Sequence, residues 1–218
     1  MEIIAHRGVP RQEPENSLPG FELAVRQKVH GIELDVHATK DGVIVVHHDP
    51  NIRHGPLINT LTLTELHRYP LAPGVEIPTL AAVLDRMARA TPPPTVYVEV
   101  KGLGIEEAVV EVLDYARVPT AVHAFDHRVA ARVTSISPSI PTGILLDSYL
   151  VDPAAALQAA GARDYWLQWA FIDRDLVRRI HDVGGRVIAW TVNEPGDVAA
   201  LDSLGVDGVC SDIAGSFV

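Results

Sequence analysis

The sequence holds a single cysteine, Cys210, so an intrachain disulfide is excluded. No stretch approaches the ~18 unbroken apolar residues of a membrane span. The opening residues, Met1-Glu2-Ile3-Ile4-Ala5-His6, lack the basic and apolar regions of a secretory leader, and a cytoplasmic location is the default expectation. Positive charge is scarce: 18 Lys and Arg stand against 28 Asp and Glu, for a net charge of −10. Such a surface repels phosphate backbones and anionic bilayers at long range, which argues against nucleic-acid binding and a membrane anchor. A local cationic or metal-lined pocket for one small anion is still compatible with it. No G-x-G-x-x-G follows any apolar run, which weighs against a dinucleotide-binding doubly wound sheet. Low-complexity segments are absent as well.

What is present is an ordinary globular balance, 47% hydrophobic and 21% charged over 218 residues. It predicts a single domain spanning residues 1–218. Short β-rich runs are expected at Glu2–His6, Gly31–Val36, Val43–His47, Thr95–Val100, Thr120–Phe125, Thr142–Leu146, Tyr165–Trp169, Arg186–Val192 and Gly208–Cys210. Helical patterns lie between most of them, at Ser17–Gln27, Thr79–Ala90, Ile105–Ala116, Arg128–Ile136, Pro153–Ala160, Arg174–Val183 and Pro195–Leu204. Asp173 reads as an N-cap, and Gly161, Gly184 and Gly205 read as helix stops. Only His37 to Gly42 separates the second and third runs, too short for a parallel crossover. With Asp41-Gly42 as its turn, this piece reads as an antiparallel hairpin that sets His48 roughly opposite Asp35. Discounting that arm leaves eight parallel strands, the arithmetic of a (β/α)8 TIM barrel with an extra β-hairpin after strand 2.

In such a barrel, catalytic groups project from the C-terminal strand ends. Those ends carry His6-Arg7-Gly8, Glu33 with Asp35, Glu99 with Lys101, then His123, Asp147, Gln168, Trp190 and Asp212. Burying ionisable groups without partners is costly, so they must pair, hold a metal or serve chemistry. The two-residue period puts Glu33 and Asp35 on one face of their strand, and Glu99 lies on the next barrel strand. Three carboxylates at one mouth point to a hard divalent cation, Mg²⁺ or Ca²⁺ rather than zinc. The alternative is plain ion pairing, Glu99 to Lys101 and Asp35 to Arg7. His6 and His48, both beside carboxylates, are candidates for base and acid near neutral pH. Alternation turns His47 to the other face. His30, His37, His54, His67, His127 and His181 read as solvent-facing residues of helices or loops. Arg7 offers a planar fork and Lys101 a point charge to an anion, or both neutralise the carboxylates. Trp190 is either the floor of a ligand pocket or a core aromatic.

A longer pattern runs through the chain in order: Ala5-His6-Arg7-Gly8, Pro14-Glu15-Asn16-Ser17, Glu33-Leu34-Asp35-Val36, Thr39-Lys40-Asp41-Gly42 and Val45-Val46-His47-His48-Asp49-Pro50. Ile77-Pro78-Thr79-Leu80, Val98-Glu99-Val100-Lys101, Phe125-Asp126-His127, Trp190-Thr191-Val192-Asn193 and Gly205-Val206-Asp207-Gly208 continue it. With these motifs the sequence resembles the bacterial glycerophosphodiester phosphodiesterases, a branch of the phospholipase-C-like phosphodiesterase barrels. The resemblance implies hydrolysis of glycerophosphodiesters to sn-glycerol 3-phosphate and an alcohol, with one divalent cation, Mg²⁺ or Ca²⁺. It implies acid–base roles for His6 and His48, metal ligation by Glu33, Asp35 and Glu99, and substrate contacts by Arg7, Lys101 and Trp190. The nucleophile is then the substrate's glycerol hydroxyl, through a cyclic phosphate, or water directly. A small-molecule substrate and a monomer or homodimer are expected. Departures from the family pattern are His47, the short Asn51-Ile52-Arg53-His54-Gly55-Pro56 loop, Ala124 and Ser211-Asp212, and the altered loop bears on the leaving alcohol. The alternatives are another phosphodiesterase or phospholipase-D-like activity on the same barrel, a glycoside hydrolase using paired carboxylates, and a non-catalytic phosphate-binding barrel.

Overall fold

The computed structural model describes residues 1–53 and 55–218. Among these, strands and helices alternate from one end to the other. They run β1 (Glu2–Ala5), α1 (Leu18–Arg26), β2 (Gly31–Ala38), β3 (Ile44–Val46), α2 (Leu63–Leu66), α3 (Leu80–Met87), β4 (Thr95–Val100), α4 (Glu106–Asp114) and β5 (Thr120–Ala124). Then follow α5 (His127–Ile136), β6 (Thr142–Leu146), α6 (Pro153–Ala159), β7 (Asp164–Gln168), α7 (Arg174–His181), β8 (Arg186–Trp190), α8 (Pro195–Leu204) and β9 (Gly208–Ser211). Neighbouring strands are parallel in the order β1-β9-β8-β7-β6-β5-β4-β2, and β1 pairs with β2 to close the barrel. Only β3 is antiparallel. Closure removes the edges of the eight parallel strands, and the helices cover the outside.

Alternation along each strand sorts the side chains. On β4, Val96, Val98 and Val100 join the core shared with the helices, whereas Tyr97 packs inside the barrel with Ile4, Ala121, Leu145, Trp166, Ile188 and Cys210. Tyr97 and Trp166 meet edge to face, 5.2 Å between centroids. This pair plugs the barrel at mid-height, as a filled core rather than a pore. Gly31 makes room for it, because a Cβ there would stand 2.8 Å from the Tyr97 ring. The helices are capped as their sequences dictate. In α7 the Asp173 carboxylate accepts from the Leu176 N–H, and Leu176, Val177 and Ile180 are buried. Helix α8 stops at Gly205, whose φ of 87° is the left-handed conformation that glycine adopts without strain.

The hairpin arm is present, with a register one residue away from the sequence expectation. Val36 faces Val46 and His37 faces Val45, so His47 rather than His48 lies opposite Asp35, donating its N–H to the Asp35 carbonyl at 3.0 Å. The reason is the turn: Gly42 adopts φ 81° and its N–H bonds back to the Thr39 carbonyl, giving a three-residue loop centred on Asp41 instead of a turn centred between Asp41 and Gly42. The sequence reading did not anticipate α2, although Thr62 and Glu65 form a capping box there. Val45, Ile52, Ile58, Leu66 and Ile77 give the arm a small core of its own. His37 is also corrected: it belongs to β2 and is partly buried, not a solvent-facing loop residue. His127 is likewise only partly exposed, with Nε2 on the Leu145 carbonyl, and His54 lies outside the described residues.

At the opposite end of the barrel the strand starts form an ionic floor. Arg163 donates twice to the buried Asp164 carboxylate, at 2.8 and 2.6 Å, and Arg186 lies 3.7 Å from the same carboxylate. Arg186 and the Tyr97 hydroxyl both donate to Glu2, at 2.8 and 2.7 Å. Arg163→Ala should therefore destabilise the fold by about 2–4 kcal/mol, somewhat less than the full loss of a buried pair because Arg186 still faces Asp164. A fall of roughly 5–15 °C in the thermal midpoint by circular dichroism is expected for a chain of this size. Burial pushes the Glu2 carboxyl up, but Tyr97 and Arg186 outweigh it and hold it below its ordinary 4.5. The folded state thus binds fewer protons than the unfolded chain in acid, and this contribution is whole above about pH 4.5 and lost as pH falls through the lower folded value. Urea titrations from about pH 6 down to about pH 3 should show Glu2→Gln losing less stability than wild type.

Candidate active site

A cavity of about 120 Å³ opens at the C-terminal end of the barrel, and His6, Arg7, Glu33, His48, Glu99, Lys101, His123 and Trp190 line it. Of the eight residues singled out from sequence, seven therefore share one cleft, and Asp35 lies directly behind it, ion-paired to Arg7 and Lys101. Strand β2 supplies Glu33 and Asp35 on its inner face, while Leu34 and Val36 turn outward into the apolar core. Asp35 is directly paired in register with Glu99 of β4, and Glu99 in turn with His123 of β5. Three adjacent strands thus bring three titratable groups into register, with Glu33 two residues below Asp35 on the same face.

Asp35 is the most tightly held of them. Arg7 Nε stands 3.2 Å from one of its oxygens and Lys101 Nζ 3.5 Å from the other. Asn16 clamps it from both sides: its Nδ2 donates to the carboxylate at 2.8 Å, and its Oδ1 accepts from the Asp35 N–H at 3.2 Å. Burial pushes the Asp35 carboxyl up, but Arg7 and Lys101 outweigh burial and keep it below the usual carboxylate range. The buried Oδ1 nevertheless has no hydrogen-bond donor. Glu33 is pushed well above the ordinary value by burial and by repulsion from Asp35 and Glu99, with Arg7 only partly offsetting this. Glu99 is raised by burial and by Asp35, against the pull of Lys101, whose Nζ donates to it at 2.8 Å. The ion pairs weighed from sequence, Asp35 with Arg7 and Glu99 with Lys101, are both made, and two cations thus face three buried carboxylates.

The tightest grouping of possible metal ligands among the described residues is Glu33, Glu99 and His123, whose ligand atoms all lie within 4.8 Å of one another. Asp35 falls outside that grouping. His123 was noted at its strand end from the sequence but given no role. It is fully buried, stacked on Trp166 at 4.2 Å, and burial pushes its imidazole down to about 3, so the ring is neutral and able to act as a ligand. The signal was its alternation with Val122 and Ala124 on a strand next to Glu99.

The two candidate acid–base histidines share one arrangement. His6 Nδ1 lies 2.6 Å from Asp212, which Asn193 holds through its other oxygen at 2.9 Å. Burial raises the Asp212 carboxyl, but His6 and Asn193 bring it below its usual range. His48 Nδ1 lies 2.8 Å from the Asp49 carboxylate. In each ring the Nδ1–H donates to a carboxylate, which leaves Nε2 as the nitrogen free for proton transfer. His47 instead turns aside to the Asp49 carbonyl; with His47 opposite Asp35, strand alternation does not account for this, because β3 ends at Val46. Asn16 and Asp212 are supporting residues that the sequence reading left without a role, although both stood in quoted motifs or strand ends. Trp190 meets Phe125 edge to face at 5.5 Å and forms an apolar wall of the cavity.

Comparison with known proteins follows the same lines. A profile of the Glycerophosphoryl diester phosphodiesterase family matches residues 6–216. The Bacillus subtilis protein YhdW is 33% identical over 233 residues, covering 97% of this chain and 94% of its own length. A glycerophosphodiester phosphodiesterase of Bacillus altitudinis is 29% identical over 230 residues, covering 96% of this chain and 94% of its own. Among solved structures, an Oleispira antarctica phosphodiesterase in complex with the product sn-glycerol-3-phosphate superimposes with a TM-score of 0.92 at 26% identity, over 99% of this chain and 94% of that one. A barrel mouth with this constellation, matched from His6 almost to the last residue, places the chain in the glycerophosphoryl diester phosphodiesterase family.

Proposed function

We propose that this protein hydrolyses glycerophosphodiesters to sn-glycerol 3-phosphate and an alcohol, with one divalent cation at the barrel mouth. The carrying observation is the meeting, in a single cleft, of two imidazoles each oriented by a carboxylate, an Arg–Lys pair and a cluster of buried carboxylates.

The residues fit a cation. Glu33 and Glu99 repel each other in a buried setting, and the Asp35 Oδ1 lacks a donor. Such an oxygen-rich set suits Mg²⁺ or Ca²⁺. Glu33 and Glu99 would hold the ion, Asp35 would contribute through Oδ1, which has no hydrogen-bond donor, and His123 would border the set. When bound, the cation supplies Lewis-acid stabilisation of charge on the phosphoryl oxygens. Arg7 and Lys101 add fixed positive charge on the same side, and both are preorganised by Asp35 and Glu99 rather than free to swing. His6, through Nε2, takes the proton from the nucleophile, and His48 donates one to the departing alcohol. In the favoured course the nucleophile is the substrate's own glycerol hydroxyl, and water then opens the cyclic phosphate with the two imidazoles exchanging roles. The Phe125–Trp190 wall shields the apolar side of the glycerol unit. A glycoside hydrolase would leave both imidazoles, Arg7 and Lys101 without a task.

Release of glycerol 3-phosphate from glycerophosphocholine should fall to background after exhaustive EDTA treatment and return with Mg²⁺ or Ca²⁺. Glu33→Ala should raise the cation concentration needed for half-maximal rate, and turnover that survives EDTA would remove the metal from the proposal. His6→Ala and His48→Ala should each lower kcat by roughly 10²–10⁴-fold, the scale of positioned acid–base groups. Near-normal kcat in either variant takes that histidine out of the chemistry.

A further inference from the structure

His48 occupies an exacting position on an unsupported piece of chain. Strand β3 ends at Val46, and the last backbone bond of the ladder is the His47 N–H to the Asp35 carbonyl. Beyond it, among the described residues, the carbonyls of His48 and Asp49 receive no backbone N–H. Two side chains take the place of the missing ladder. His37 Nε2 lies 3.0 Å from the His48 carbonyl, and His47 Nδ1 lies 2.9 Å from the Asp49 carbonyl. A carbonyl only accepts, so His37 is the donor, and its proton is on Nε2.

His37 is well placed for this task. It lies on β2 two residues beyond Asp35, and therefore on the face that carries Glu33 and Asp35. Its backbone is paired with Val45 of the arm, and the residue before it, Val36, is paired with Val100 of the barrel. One rigid strand thus carries, in sequence, a carboxylate of the proposed cation site, the residue that anchors Arg7 and Lys101, and the donor that holds the His48 carbonyl.

We propose that His37 is the positioning residue of His48: its Nε2–H, fixed on β2, sets the distance between the His48 imidazole and the groups that hold the phosphate. The inference rests on the assignment of His48 as a proton carrier. His37 itself touches neither substrate nor cation in this scheme. Asp49 sets the tautomer and rotation of the His48 ring, whereas His37 sets where its backbone stands. Misplacement of a reacting group by about 1 Å is enough to cost on the order of 10²-fold in rate.

The test compares His37→Phe, which keeps a ring without the donor, with His37→Gln, whose amide N–H reaches the place of Nε2. Kinetics use glycerophosphocholine at saturating Mg²⁺ or Ca²⁺, with thermal midpoints measured in parallel. His37→Phe should lower kcat by about 10- to 100-fold with KM nearly unchanged, and His37→Gln should restore most of that loss. Wild-type kcat in His37→Phe, or equal losses in both variants, overturns the proposal. Histidine-labelled wild-type protein gives a reading that needs no substitution, because ¹⁵N shifts must show the His37 proton on Nε2; a proton on Nδ1 overturns it as well. His48→Ala separates the two levels. Full turnover there sinks the assignment of His48 itself, whereas an inactive His48→Ala beside a fully active His37→Phe sinks the role of His37 alone.

Discussion

Like charges crowded into a low-dielectric mouth are the constraint around which the rest of this structure is arranged. Glu33, Asp35 and Glu99 come from two adjacent parallel strands, and Asp35 and Glu99 stand in direct register. In a fold held by a net stability of only about 5–15 kcal/mol, unpaired buried carboxylates would be prohibitive. The chain answers with Arg7 and Lys101, and with a buried asparagine that meets Asp35 through both ends of its amide. These partners hold Asp35 below the usual carboxylate range and partly offset the burial of Glu99, but Glu33 is left pushed well above its ordinary range. Arg7 and Lys101 thus face three buried carboxylates, two cations against three acids. That is why the same residues that look strained as structure look coherent as a site.

The barrel supplies what such a site needs, which is rigidity from many directions at once. His6 leaves β1 and is tied across to β9, where Asn193 steadies its partner Asp212. His48 enters from the hairpin arm, which has a separate apolar core and crosses over β2. The two imidazoles therefore reach the cleft on independent supports, and each spends Nδ1 on a carboxylate. Below them, the stacked His123 and Trp166 and the Tyr97 edge contact close the barrel interior to water. Burial there keeps His123 neutral, and polar chemistry is confined to one layer at the top.

Much of this was legible before any coordinates. Alternation of apolar residues placed Glu33 and Asp35 on one face, and eight parallel strands with helical patterns between them named the barrel. The six residues between the second and third runs required a hairpin. Ion pairs of Asp35 with Arg7 and of Glu99 with Lys101 were open alternatives to metal binding, and the structure makes both while leaving room for a cation. The register of the hairpin, the placement of His37 on β2 and the helix inside the arm escaped the reading. Each depends on turn geometry or on packing within the arm, where one residue changes which side chain faces inward.

Local periodicity, caps and motif order thus determined which residues could meet at the mouth, because period 2 and period 3.6 are properties of the backbone alone. Tertiary structure decided how those groups divide the work. Pairing of β2, β4 and β5 brought His123 beside Glu33 and Glu99, and closure of β1 onto β2 set Arg7 beside Asp35, which Lys101 and Asn16 also hold. Distances between strands far apart in sequence are set by register and packing across the whole barrel, and no local pattern encodes them.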